Sequence, residues 1–226
     1  MTSVDSHPAP TFSERLRLAA DDDWRAAVHH RFVDELLAGS VDDDVMRAYL
    51  VQDYQFIDGF VALLGAAVAH ADQFSSRLVL SRFLAMITSD ENTYFQRAFD
   101  TLGVAASHYE AAEPGAPTRG FQDLMGEAVR SGSYARCLSV LVVAEWLYLS
   151  WAQRRSGALP EKPVHAEWIT LHDNPYFSGF VDWLRREFDR VGEQLSAEDQ
   201  AAVTRSFTRA VALERAFFDQ FYPENR

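Results

Sequence analysis

Apolar residues recur at intervals of three and four residues through nearly the whole chain, with polar residues between them. This spacing is the period of amphipathic helices, and no stretch shows the sustained alternation expected of a sheet. Turn-forming residues are few, since glycine contributes 11 of the 226 residues and proline 8. The pattern predicts an all-α protein with helices over residues 11–20, 21–37, 42–71, 75–102, 121–130, 133–155, 165–172, 175–191 and 196–222.

Two segments that contain proline and glycine, 111–120 and 156–164, are predicted to be loops between helices. Both are short, and the helical pattern is similar on either side, so neither has the character of an interdomain linker. We therefore predict one helical domain over residues 11–226, preceded by a flexible N-terminus over residues 1–10. Ser196 followed by Asp199 predicts a cap at the start of the last helix.

The chain is acidic, with a net charge of −12 and a pI near 4.9. Such a surface repels nucleic-acid phosphates and anionic lipid heads, so neither nucleic acid nor a membrane is expected as a partner. Uninterrupted apolar runs such as 140–144 and 146–149 fall far short of the ~20 residues that cross a bilayer. Residues 1–10 lack the features of a signal peptide, and Cys137 is the single cysteine, as expected of a cytoplasmic protein.

Three carboxylates interrupt apolar helix faces. Asp53 and Glu214 each fall within the apolar stripe of a long helix, and Glu145 interrupts the run 140–149, which is apolar nearly all round. Burying an ionised carboxylate without a partner is costly, and a single inward acid is most often paired with an arginine, a tyrosine or a backbone amide. That interpretation stays open for each acid, but three helices that each aim one inward favour a shared polar pocket.

The sequence gives little support for a metal or a cofactor, and we predict neither. Di-iron carboxylate bundles need histidine three residues after a glutamate on each of two helices, and no glutamate here has that spacing. His29 and His30 are adjacent and therefore point about 100° apart on a helix, which disfavours a haem ligand. Glycine motifs for nucleotides and esterase nucleophiles are lacking, and Cys137 is expected to be a buried, inert thiol. Proton transfer to a small polar ligand remains.

Two segments, 24–39 and 49–56, resemble the TenA family of thiamine-pathway hydrolases. The second contains the element Gln52, Asp53 and Tyr54 within a predicted helix. Length and helix order agree with the family along essentially the whole chain. The resemblance implies a haem oxygenase-like fold that binds no haem, a homo-oligomer that is a tetramer or a dimer, and a small pyrimidine as substrate.

The resemblance also implies roles for individual residues. Asp53 matches the family's pyrimidine-binding aspartate, and Phe56 matches the aromatic residue that lies beside the ring. Tyr148 matches the tyrosine of the central helix and is expected in the catalytic set. Glu214 matches the catalytic glutamate near the C-terminus.

Three departures separate the chain from the best-studied branch of the family. That branch has a nucleophilic cysteine four residues before the tyrosine, where this sequence has Ala144. Glu145, one position later, resembles a second branch that uses a glutamate and lacks the cysteine. Phe121 and His172 occupy positions where the cysteine branch has tyrosines, and both are expected to contact the ligand.

The resemblance therefore implies hydrolysis of an aminomethylpyrimidine or of its N-formyl derivative. We expect Asp53 to bind the ring nitrogen and exocyclic amine, while Phe56 and Phe121 sandwich the ring. Glu145 would activate water as the general base, and Glu214 would protonate the leaving nitrogen. Two alternatives stay open: a protein that binds a pyrimidine or another small amine without chemistry, and a metal oxidase on the same scaffold.

Overall fold

The computed structural model describes residues 9–222, which form α-helices and one π-helical turn, without a β-strand among them. The all-α prediction is confirmed. The π turn, Ile87–Glu91, joins the fifth helix to the sixth. The helices are α1 (Phe12–Ala19), α2 (Asp21–Val28), α3 (Arg31–Leu37), α4 (Asp43–His70), α5 (Phe74–Met86), α6 (Asn92–Leu102), α7 (Ala106–Tyr109), α8 (Ala116–Arg130), α9 (Tyr134–Ala152), α10 (Pro163–His172), α11 (Pro175–Gly192) and α12 (Ala197–Asp219).

Polar side chains mark several helix starts. The Ser196 hydroxyl accepts a hydrogen bond from the backbone N–H of Asp199 at 3.2 Å, which confirms the predicted cap of α12. Thr11 and Glu14 form a reciprocal capping box at the start of α1. The predicted flexible N-terminus, 1–10, lies outside the described residues except for its last two positions, so it stays a prediction.

Helix α9 lies at the centre of the fold and packs against α2, α4, α8, α10, α11 and α12. Only Arg136, Trp146 and Ser150 along it are more than slightly exposed. The length and mean hydropathy of this helix would also suit a membrane span, although its uninterrupted apolar runs are too short to indicate one. However, 78% of its apolar window is buried inside the protein. Its apolar composition therefore matches its place in the core.

Three predicted boundaries are wrong. The predicted helix 21–37 is two helices, because the chain is extended at His30, whose Nδ1 accepts the Phe32 N–H and caps α3. The predicted loop 111–120 ends early, since α8 begins at Ala116 with Pro117 in its first turn, where no backbone N–H is needed. The predicted helix 75–102 is interrupted by the π turn.

The packing of α1 on α11 predicts opposite effects for two glycine substitutions in α11. A Cβ at Gly192 would overlap the ring of Phe12, which is 3% exposed and has no room to move. A Cβ at Gly179 meets no atom within 4 Å. We expect Gly192→Ala to lower the free energy of unfolding by about 1–3 kcal/mol, and Gly179→Ala to raise it by up to about 1 kcal/mol. Urea denaturation measures both, and equal effects would contradict the proposed packing.

Candidate functional site

A cavity lies between α4, α8, α9, α10, α12 and the π turn. About 480 Å³ of space that no atom fills lies between its side chains and in its open mouth. All seven residues that the sequence predicts for the site are in its lining. The lining consists of Asp53, Phe56, Ile57, Phe60, Glu91, Phe121, Ala144, Glu145, Tyr148, Trp168, His172, Glu214 and Phe217.

Three helices bring the three inward acids to this cavity. Asp53 on α4, Glu145 on α9 and Glu214 on α12 are all buried, with at most 7% of each side chain exposed. Each stands where the buried face of its helix would otherwise carry an apolar residue, so the helical period itself directs the carboxyl inward. Within residues 9–222, no side chain or backbone group donates a hydrogen bond to any of these carboxyls. The common pairing of a buried acid is therefore not found here.

Glu91, at the end of the π turn, is a fourth acid in the lining that the sequence analysis missed. It is 8% exposed. On a regular helical wheel, with 100° per residue, the buried residues of α5 form one stripe. When that stripe is extended past α5, its centre falls midway between the directions of Asp90 and Glu91. The π turn rotates the chain less per residue, which keeps Glu91 in line with Ile87 and leaves Asp90 exposed. A regular helical wheel therefore does not distinguish the two acids.

Burial dominates the electrostatics of the four acids. Loss of hydration raises the pKa of Asp53 to about 8 and that of Glu91 to about 8, and the charge of Asp53 adds to the shift at Glu91. Burial and then the neighbouring carboxylates raise the pKa of Glu145 and Glu214 well above the usual range. Among residues 9–222, no lysine or arginine lines the cavity. Burial thus favours the protonated forms of these carboxyls, and a bound cation would favour their ionised forms.

His172 adds an acceptor to the cavity rather than a positive charge. Its Nδ1 lies 2.9 Å from the backbone oxygen of Trp168. Because a carbonyl oxygen only accepts, Nδ1 carries the proton and donates it. Burial lowers the pKa of His172 to about 4, so the ring is neutral at physiological pH and Nε2 keeps its lone pair.

A buried relay of hydrogen bonds ends at Tyr148. The indole N–H of Trp168 donates to the hydroxyl of Tyr49 at 3.2 Å, and the hydroxyls of Tyr49 and Tyr148 are 2.9 Å apart. Every polar atom of the relay is satisfied when Tyr49 accepts from Trp168 and donates to Tyr148. The proton of Tyr148 is then left for a group in the cavity. Tyr148 is therefore suited to be a neutral donor among the acids.

Phe56 and Phe121 both line the cavity, but they do not form the predicted sandwich. Their ring centroids are 5.2 Å apart and their planes make an angle of 87°, which is an edge-to-face contact. A ring sandwiched between them would need two parallel rings separated by its own thickness. Phe60 stacks on Phe56 at 5.2 Å and holds it from the other side. Periodicity indicates the face of a residue and not the orientation of its ring, which is why the prediction failed.

Three consecutive residues of α4 point to three different neighbours: Gln52, Asp53 and Tyr54. The side-chain oxygen of Gln52 accepts from the backbone N–H of Gly115 at 2.6 Å and from the Thr118 hydroxyl at 2.8 Å. The ring of Tyr54 packs edge-on against aromatic rings of α6. The two flanking residues thus fix α4 against α8 and α6, and Asp53 between them faces the cavity.

Cys137 lies outside the cavity lining. It is buried as expected, and burial raises the pKa of its thiol to about 11, so the thiol stays protonated. Ala144, at the position of the nucleophilic cysteine in the resemblance, does line the cavity. A search of residues 9–222 gives no group of three or more His, Cys, Asp and Glu side chains arranged to hold a metal ion.

Comparisons with known proteins agree with this architecture. An aminopyrimidine aminohydrolase from Halalkalibacterium halodurans is 24% identical over 216 residues, which cover 95% of this chain and 96% of that protein. The crystal structure of a TenA family transcription regulator from Silicibacter sp. TM1040 is similar with a TM-score of 0.83 and 22% identity, over 96% of this chain and 98% of that one.

The fold also extends to a more distant structure. Haem oxygenase-1 from the cyanobacterium Synechocystis, solved in complex with haem, is similar with a TM-score of 0.56 and 14% identity, over 93% of this chain and 92% of that one. The predicted haem oxygenase-like fold is confirmed. A sequence model of the TENA/THI-4/PQQC family matches residues 18–224. This match spans nearly the whole chain, and the protein belongs to that family.

Proposed function

We propose that this protein is a hydrolase of thiamine salvage that removes the amino group from an aminomethylpyrimidine or the formyl group from its N-formyl derivative. The observation that carries the proposal is a cavity lined by four buried carboxyls, with no basic side chain in the lining among residues 9–222. Such a lining suits a ligand rich in hydrogen-bond donors and positive charge. Membership of the family and the aminopyrimidine aminohydrolase among its relatives support this substrate class.

Asp53 is proposed to bind the pyrimidine. Its two oxygens match the ring nitrogen and exocyclic amine of an aminopyrimidine, which form the planar edge of an amidine-like cation when the ring is protonated. Asp53 has no hydrogen-bond partner within the described part of the chain, so the ligand would satisfy its carboxylate. The Phe56 and Phe121 pair supplies an apolar wall beside the ring.

Glu145 and Glu214 are proposed to transfer the protons. Glu145 as the base takes a proton from water, whose oxygen bonds to the carbon that bears the nitrogen. The carbon–nitrogen bond then breaks. An aminomethyl group bound as its cation leaves as neutral ammonia, which takes the proton of Glu214 and becomes ammonium, whereas the amide nitrogen of the N-formyl derivative takes that proton as it departs. Burial, and after it the charges of Glu91, Glu214 and Asp53, raise the pKa of Glu145, so Glu145 acts as a base when a cation occupies the cavity. This requirement links base activity to substrate binding.

The missing cysteine favours a mechanism that uses carboxyl groups throughout. Ala144 and Glu145 both line the cavity, and so a carboxyl is present beside the position of the family's thiol. Cys137, buried and protonated outside the lining, offers no substitute. We therefore propose membership of the glutamate-type branch, with Tyr148 donating from the end of its relay and His172 accepting through Nε2.

We also propose a homo-oligomer, a dimer or a tetramer, in the cytoplasm. The family resemblance and two large exposed apolar side chains, Phe74 at 71% and Tyr176 at 51%, support an association between copies. Sedimentation equilibrium of the purified chain measures the assembly, and a monomer at micromolar concentration would contradict it.

A second candidate function is a pyrimidine-binding protein without catalysis, which the same unpartnered acids would serve. Release of ammonia or formate at steady state distinguishes the two functions. Stabilisation of the folded state by the ligand without any turnover would favour the binding protein.

Glu145→Gln is expected to lower kcat by about 10²–10⁴-fold while the pyrimidine still binds. The amide keeps the size of the side chain but does not accept a proton from water. Ammonia release measures turnover, and the ligand-induced shift in Tm measures binding. Glu161→Gln, at an exposed position, is the matched control and should behave as wild type. A kcat of Glu145→Gln within a few-fold of wild type would refute the role of Glu145.

The free energy of unfolding of the ligand-free protein should fall as pH rises from 6.5 to 8. Folded Asp53 keeps its proton up to about pH 8, whereas in the unfolded chain it ionises near pH 3.8. The unfolded state therefore binds fewer protons in this interval, and stability decreases by up to about 1.4 kcal/mol per pH unit for such a carboxyl. The interval lies above the pH range in which His172 titrates, from about 4 when folded to 6.5 when unfolded.

Asp53→Asn should reduce the fall in the free energy of unfolding between pH 6.5 and pH 8, because the amide has no carboxyl proton to lose. Asp58→Asn on the exposed side of the same helix is the control and should leave that fall unchanged. Urea denaturation at pH 6.5 and pH 8 measures the effect. The same loss in Asp53→Asn and wild type would show that Asp53 is already ionised in the folded protein.

A further inference from the structure

Glu91 is the one acid of the lining that the proposed mechanism does not use. Its side chain is 92% buried, given its 8% exposure, and it faces the cavity. Within residues 9–222 no hydrogen-bond donor and no cationic side chain pairs with it. A buried carboxyl with no partner is costly, and such a group usually serves something that binds beside it.

The backbone at Glu91 is also unusual. The helix that begins at Phe74 changes to π-helical hydrogen bonding at Ile87–Glu91 and returns to α-helix at Asn92. π turns are rare and frequently occur at functional sites, because they cost regular hydrogen bonding and change where side chains point. Here the turn directs Glu91 into the cavity and leaves Asp90 in solvent. The π turn thus places an acid in the cavity at the expense of regular α-helical hydrogen bonding.

Glu91 lines the same cavity as Glu145 and Asp53, the acids proposed to activate water and to bind the ring. Among the other three acids of the lining, its charge acts most strongly on Glu145, the proposed base. Asp53, the proposed ring-binding acid, is the neighbour whose charge acts on Glu91. Glu91 is therefore coupled both to the acid that holds the ring and to the acid beside the bond that breaks.

We propose that Glu91 binds the protonated aminomethyl group of the substrate and makes the site specific for a cationic aminomethylpyrimidine over the neutral hydroxymethylpyrimidine. This inference rests on the proposed function and deepens it. An ammonium group has three donors and a full positive charge, which a buried and otherwise unpartnered carboxylate binds strongly. A hydroxyl at the same place offers one donor and no charge.

The same contact gives the site a means to release its product. Hydrolysis converts the aminomethyl cation and water into the hydroxymethylpyrimidine and ammonium. The ammonium, which is the ionic partner of Glu91, leaves the cavity. The remaining alcohol is then held by Asp53 and the aromatic wall alone. Glu91 then regains a proton, as its burial favours.

Glu91→Gln in the full chain tests this proposal. We expect Kd and KM for the aminomethylpyrimidine to rise about 10- to 100-fold, because a hydrogen bond to a charged group contributes a free energy of this size. The Kd for the hydroxymethylpyrimidine should change less than about threefold, and kcat should fall less than KM rises. Isothermal titration calorimetry with each pyrimidine measures the two Kd values, and ammonia release gives kcat and KM.

Asp90→Asn, one residue away in the same turn and exposed, is the matched control and should leave both affinities unchanged. Glu91→Asp keeps the charge and should retain the preference for the cation, which provides a second variant if the glutamine variant does not fold. An equal loss of affinity for both pyrimidines, or no loss for either, would overturn the role of Glu91. If wild type neither binds nor hydrolyses any aminopyrimidine, the proposed function itself fails.

Discussion

Four carboxyl groups that share one cavity without a basic partner are the constraint on which the site depends. Their removal from water is costly, and burial raises the pKa of all four, which favours their protonated forms. The other polar groups of the lining are uncharged as well. His172 is neutral, and Tyr148 is a neutral donor at the end of a buried relay. Positive charge must therefore come from the ligand.

The protein also contains a buried acid of the ordinary structural kind, which shows the contrast. Glu187 is as buried as the cavity acids, but it accepts hydrogen bonds from Ser76 at 2.6 Å, from Tyr134 at 3.0 Å and from the guanidinium of Arg190. Burial acts to raise its pKa, yet these hydrogen bonds together lower it below the usual value. The fold thus supplies partners where an acid stabilises structure and withholds them around the cavity.

Much of this arrangement could be predicted from the sequence, because it follows from regular helices. Asp53, Glu145 and Glu214 lie on long helices with constant rotation per residue, so an apolar stripe indicates where each carboxyl points. Glu91 could not be predicted in this way, since it lies in a π turn that the wheel does not describe. The edge-to-face contact of Phe56 and Phe121 depends on side-chain rotation, about which periodicity carries no information. The break at His30 leaves the same face buried on both sides, so the pattern continued across it.

The most direct test of this account is the number of protons released when an aminomethylpyrimidine binds at pH 7. Calorimetric titration in buffers of different ionisation enthalpy measures that number. We expect the cation to release at least one proton, because burial raises the pKa of the cavity carboxyls and a bound cation favours their ionised forms. Binding without proton release would mean that the acids are already ionised in the empty protein, and would contradict the central claim.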